Sequence, residues 1–134
     1  LCQGMCSYTE IPEVLGSAKM GLNILRPQNE EGHNIRTFEI PATATLMLSE
    51  RSQVLLNLFA EDKEAVYFSS PDELRQKVEY LLPNPTVIET IAKAGYKKAL
   101  ENTIADRVIE IAHLYQDFKF SQCSDSQILE NQKV

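Results

Sequence analysis

Chemistry is densest after Leu25, where the chain reads Arg26-Pro27-Gln28-Asn29-Glu30-Glu31-Gly32-His33-Asn34-Ile35-Arg36-Thr37-Phe38-Glu39. The segment is polar, holds a glycine and leads into a helical pattern. The unpaired amides of a helix's first turn form a ready anion site. Arg36 adds positive potential beside that turn. Glu31 and Glu39 stand eight positions apart, so a helix beginning between them has one carboxylate before its N-terminus and the other about a turn inside. A ligand with phosphate and hydroxyl groups can use both ends: amides and Arg36 for phosphate, carboxylates for hydroxyls.

Each of these residues also has an ordinary use. Glu39 lies three positions after Arg36, where an ion pair on a solvated helix face contributes roughly 0.2–0.5 kcal/mol. Glu31 near a helix N-terminus complements the dipole without any ligand. Its charge also repels phosphate, so a functional Glu31 must face a sugar. Asn34 is a good helix cap, His33 a plain hydrogen-bonding loop residue, and Arg26 either offsets a diphosphate or faces water. His113, on a later helical pattern beside Tyr115, reads as structural.

The elements that would position this segment are short strands alternating with helices. Residues 7–18 read as a helix opened by Ser7 and Glu10, with Ile11, Val14 and Leu15 on one face. Residues 20–25 form an apolar run suited to a strand buried on both faces. A second helical stretch starts near His33, with Ile35, Phe38 and Ala42 facing one side. Pro41 conflicts with it, because seven residues into a helix it removes a hydrogen bond and clashes with the preceding turn. The helix must start later or kink there. Strands at 45–48 and 65–68 flank a helix at 51–59. Ser70-Pro71-Asp72-Glu73 reads as a capping box with proline at the first helical position. It opens a helix to about Leu82, Asn84-Pro85 opens another, and 104–118 is the longest amphipathic stretch. The predicted architecture is α/β: a partial Rossmann-like three-layer domain, about three short parallel strands with flanking helices and a helix-rich C-terminal half. Ligands of such sheets bind outside the carboxyl ends of the strands, which directs attention to the loop after Leu25. Residues 121–134 are polar and are expected to form a frayed tail.

Composition narrows the function. The 134 residues carry 13 basic and 19 acidic side chains, a formal charge of −6, which argues against general nucleic-acid binding. Hydrophobic residues make up 43% and charged residues 24%, as in folded soluble domains. No run reaches the roughly 20 apolar residues of a transmembrane helix, and no secretory signal is evident. Cys2, Cys6 and Cys123 lack metal-ligand spacing and make no disulfide framework, so neither a metal site nor a cofactor is expected. A reducing, cytoplasmic setting follows.

Two runs carry a family likeness: Asn23-Ile24-Leu25-Arg26-Pro27-Gln28-Asn29, and His33-Asn34-Ile35-Arg36-Thr37-Phe38-Glu39-Ile40-Pro41-Ala42. With Glu64-Ala65-Val66-Tyr67-Phe68, Ser70-Pro71-Asp72-Glu73-Leu74 and Ala94-Gly95-Tyr96, they resemble the C-terminal part of glycosyltransferases of the GT-B fold. The subgroup is the group-1-like one that includes spore-maturation-type proteins. The likeness covers most of the chain, and 33–41 is its most specific segment.

The resemblance implies a nucleotide-diphosphate sugar as ligand. Gly32, His33 and Asn34 would lie against the donor diphosphate, with Arg26 and Arg36 nearby, and Glu39 would hold the ribose hydroxyls. Retaining members carry two glutamates separated by seven residues; Glu31 and Glu39 have that spacing, which makes Glu31 the catalytic candidate. The family has glycines after this helix, where Thr43-Ala44-Thr45 stand here. Residues 1–120 would be the C-terminal part of a donor-binding domain. An N-terminal acceptor domain, a required partner, lies outside these residues, and the chain opens on Leu1. The expectation is therefore a fragment of a glycosyltransferase, inactive by itself. The alternative is a non-catalytic α/β interaction module that retains the scaffold.

Overall fold

The three apolar runs pair into one parallel sheet in the computed structural model, which describes residues 4, 6–25 and 32–130. A 3₁₀ turn at Tyr8–Glu10 leads into α1 (Ile11–Gly16) and then β1 (Met20–Asn23). α2 (Arg36–Ala42) precedes β2 (Leu46–Glu50), and α3 (Gln53–Leu58) precedes β3 (Val66–Phe68). α4 (Pro71–Leu81), α5 (Pro85–Leu100) and α6 (Ile104–Glu130) follow. The sheet order is β1-β2-β3, with Met20 opposite Leu46 and Leu48 opposite Val66. This is the partial Rossmann-like α/β arrangement expected from the sequence. Arg26 and Glu31 lie outside the described residues. The chain divides into two compact units, Leu1–Leu100 and Glu101–Val134.

Alternation along β2 and β3 creates two cores, because successive strand side chains point to opposite faces. Met47 and Tyr67 join Ile40, Leu55 and Phe59 on one face of the sheet. Leu46, Leu48 and Val66 join Leu81, Ile88, Ile91 and Ala92 on the other. β2 is buried on both faces, as a central parallel strand must be. β1 is not. Its burial alternates, with Leu22 and Ile24 about half exposed. α5 packs on β2 and α4 on β3, so on that face Met20 reaches their cluster while Leu22 stays half exposed.

The helix boundaries settle the Pro41 conflict. α2 begins at Arg36, three residues later than His33, which leaves Pro41 in the last turn of a seven-residue helix. The amides of Thr43 and Ala44 close that turn on the carbonyls of Ile40 and Pro41. Ala44 then takes a left-handed φ of 56°, a conformation that glycine adopts without strain. The buried face of α2 is Thr37, Ile40 and Pro41, not the Ile35, Phe38 and Ala42 face that helical spacing suggested. Ile35 is 62% exposed. Gly21 explains the choice: a Cβ there would stand 2.8 Å from a methyl of Ile40, so the glycine lets α2 seat Ile40 directly on β1.

The capping prediction at Ser70 holds. Its hydroxyl oxygen accepts the Glu73 amide at 3.2 Å, while the Glu73 carboxylate accepts the Ser69 amide at 2.8 Å. Ser52 caps α3 in the same way, accepting the Leu55 amide at 3.2 Å. In the second unit, α6 extends to Glu130, past the expected end near Phe118. Its stripe Ile104, Val108, Ile111 and Tyr115 is exposed. No helix among the described residues is long and apolar enough to cross a membrane.

Tyr67 fixes the end of α3. Its buried hydroxyl shares one proton between the carbonyls of Leu55 at 2.8 Å and Phe59 at 3.0 Å. Burial, and then the charges of Glu61 and Glu64, push its ionisation well above the usual phenol range. Tyr67→Phe leaves two buried carbonyls without that donor and should cost about 1–3 kcal/mol. A urea melt that shifts by less than a few tenths of a kcal/mol would show that solvent replaces the bond.

Candidate functional site

All three strands end at the same edge of the sheet, and a cleft of about 620 Å³ lies there. Ile24 and Leu25 enter it from the exit of β1; Glu50, Arg51 and Ser52 enter from the exit of β2. Phe68, Ser69, Ser70 and the first turn of α4 close the β3 side. Parallel strands followed by helices place this cleft automatically, since each strand's carboxyl end gives onto a loop and a capped helix start. Its floor is apolar and its rim carries hydroxyls, a carboxylate and a guanidinium.

Arg51 ties the rim together. Its amide donates to the Phe68 carbonyl at 2.9 Å, joining the exits of β2 and β3. Nε donates to the Ser69 hydroxyl at 3.0 Å, Nη1 to Glu61, and Nη2 to Glu73 at 3.3 Å. The bond to Glu61 is the main cause that raises the Arg51 guanidinium above its ordinary range. The same bond holds the Glu61 carboxyl below its ordinary range. Lys77 lies behind the two acids, 3.6 Å from Glu61 and 3.9 Å from Glu73. Glu50 accepts the Leu25 amide at 2.6 Å, fixing the exits of β1 and β2 to each other.

A buried polar network supports the β1 side. Asn23, 1% exposed, donates to the hydroxyls of Thr37 at 3.2 Å and Ser49 at 3.1 Å. Thr37 donates onward to Asn34 Oδ1 at 3.4 Å, and Ser49 to the Glu50 carbonyl at 3.2 Å. Among the described residues the side-chain oxygen of Asn23 has no donor. The network links β1, β2 and the start of α2, and so sets where that start stands.

The sequence-derived candidates gather around α2 rather than in the cleft. Asn34 serves as a cap: its Oδ1 accepts the Thr37 amide at 3.2 Å, and its Nδ2 donates to the Ile24 carbonyl at 3.3 Å. The amides of Phe38 and Glu39 are bonded to the Ile35 carbonyl. From Thr37 onward, then, the first turn has no amide left for an anion. His33 is exposed, its ring edge-on to Phe38 at 5.3 Å between centroids. Gly32 is half-buried beside it. Arg36 and Glu39 form the i,i+3 pair at 2.7 Å, through Nη1 and Oε2. Arg26 and Glu31 fall outside the described residues. Gly32, His33, Asn34, Arg36 and Glu39 do not line the cleft, although Ile24 and Leu25, which lead into their loop, do.

Reading the sequence for one strand exit missed the other two. Glu50, Arg51, Ser52, Ser69 and Ser70 were legible in principle, since two serine caps directly follow two predicted strands. The strand-end rule applies to every exit of a parallel sheet, not only to the one carrying the longest polar loop.

No curated protein sequence matches the chain. The sequence model of a family described as glycosyl transferase-like matches residues 2–113. That span takes in all three strands, the cleft at their ends and the segment around α2. The chain belongs to the glycosyl transferase-like family.

Proposed function

We propose that this chain is the C-terminal part of a GT-B nucleotide-sugar-binding domain. The whole enzyme transfers the sugar to an acceptor held by a domain outside these residues. Residues 1–120 supply the donor half of the cleft. The observation that carries this reading is the cleft of about 620 Å³ at the carboxyl ends of three parallel strands, in a chain of glycosyl transferase-like sequence.

Within this reading Arg36 and the loop from Arg26 through Gly32, His33 and Asn34 face the diphosphate. Glu39 receives the ribose hydroxyls. The Arg36 pair engages Oε2 alone among the described residues, so Oε1 remains to accept. Glu31 is assigned to the sugar side, where its charge does not oppose phosphate. Fixed dipoles and cations that steady a leaving diphosphate act by electrostatic stabilisation.

Calorimetric titration with UDP, ADP, GDP and dTDP and their glucose conjugates tests the proposal. One nucleotide should bind, and Glu39→Ala should weaken it at least tenfold, as expected for hydrogen bonds to a charged group worth about 1.5–3 kcal/mol. Unchanged affinity in Glu39→Ala removes that residue from the site. No heat with any nucleotide favours the non-catalytic interaction module.

A further inference from the structure

We propose that α6 pairs with α6 of a second copy of this chain, through the apolar stripe that begins at Ile104. The inference goes beyond the donor reading and does not depend on it.

The spacing comes first. Ile104, Val108, Ile111, Tyr115 and Phe118 follow one another at intervals of four, three, four and three. That is the seam of a left-handed coiled coil, in which two positions of every seven face the partner helix. All five are exposed, between 58% and 85%. No charge interrupts them. Helical spacing turns Asp106, Glu110 and Asp117 to the other side of α6, and Arg107, which flanks the stripe, is bonded within the helix to Glu110 at 2.9 Å. The other flanking positions suit close approach. Ala105 and Ala112 are small, Leu114 widens the apolar surface, and Lys119 lies over the Tyr115 ring at 5.3 Å.

Area, symmetry and charge choose the occupant. With Leu114 the stripe leaves roughly 700 Å² of apolar surface open per copy, so a pair buries about 1,400 Å², within the range of about 1,200–2,000 Å² for stable specific interfaces. A two-fold contact sets the same patch against itself, and a helix with this spacing is complementary to its own copy because knobs and holes repeat at one interval. A bilayer surface fits poorly: membrane-lying helices carry Lys and Arg on the polar face, whereas this face carries Asp106, Glu110 and Asp117 in a chain of charge −6. The family match ends at residue 113, so Leu114, Tyr115 and Phe118 extend the seam beyond the residues that match the family. A long helix also takes most of its stability from packing of its apolar face, which pairing supplies.

Sedimentation equilibrium of the full chain tests the proposal, and should give twice the mass of one chain at tens of micromolar. Ile111→Glu should raise the dissociation constant of the pair at least a hundredfold. Tyr115→Glu should do the same, and replaces it if Ile111→Glu fails to fold by circular dichroism. Ile109→Glu is the control: it is 55% exposed on the same helix but off the seam, and should stay within threefold of wild type. A wild-type chain that remains monomeric throughout the micromolar range overturns the pairing. So does a dimer that survives both seam substitutions, which would place the contact elsewhere. Equal weakening by Ile109→Glu overturns the seam, since general loss of the helix would then explain all three variants. A monomer that floats with phosphatidylcholine–phosphatidylglycerol vesicles gives the stripe to a bilayer instead.

Discussion

Phe59→Ala is expected to remove about 3–5 kcal/mol of stability, the usual loss for truncating a fully buried aromatic ring. Phe59 is 1% exposed and belongs to the core that Met47, Leu55 and Tyr67 build on one face of the sheet. Its ring also lies 5.9 Å from that of Phe38, which in turn receives the edge of His33. Truncation therefore leaves a cavity beneath α2 as well as beneath α3. A domain of this size has only about 5–15 kcal/mol in hand, so the midpoint of a urea melt should fall by roughly a fifth or more. A drop below about 1 kcal/mol would mean that Phe38 and Leu56 collapse into the space. Nucleotide affinity measured under native conditions should fall as well, since α2 carries Arg36 and Glu39.

Gly95→Ala tests the opposite limit, too little room rather than too much. Gly95 lies inside α5, where helix propensity alone favours alanine by about 1 kcal/mol. Yet a Cβ at this position would run into the backbone carbonyl oxygen of Glu64, with Pro41 also in contact. A backbone carbonyl cannot rotate away as a side chain can. The substitution should therefore destabilise by about 1–3 kcal/mol despite the better propensity. Thermal melting decides it by sign: a higher midpoint would show that α5 can slide off the Glu64–Ala65 segment without loss. Gly21→Ala meets only the side chain of Ile40, which has rotamers to use, and should be milder.

Most elements could be read from local pattern. Ser70-Pro71-Asp72-Glu73 and Ser52 mark helix starts because a short hydroxyl side chain satisfies first-turn amides wherever the chain then goes. The apolar run ending at Leu48 reads as a strand for an equally local reason. Pattern failed where burial depends on what lies opposite. The periodicity of α2 could not choose between Ile35 and Ile40, because the choice is made by Gly21 on another element. β1 looked like a doubly covered strand, since nothing in 20–25 says that α4 and α5 pack on β3 and β2.

The candidate site divides in the same way. The polar loop after Leu25, the Arg36–Glu39 pair and the family likeness are properties of neighbouring residues, so the order of the chain was enough to find them. The cleft is a property of three strand ends brought side by side. Arg51 meets Glu61 and Glu73 across ten and twenty-two positions of sequence, and Glu50 meets the Leu25 amide across twenty-five. No window of sequence contains such pairs. They exist because parallel pairing sets every strand exit on one edge, and only the folded sheet decides which charges then stand face to face.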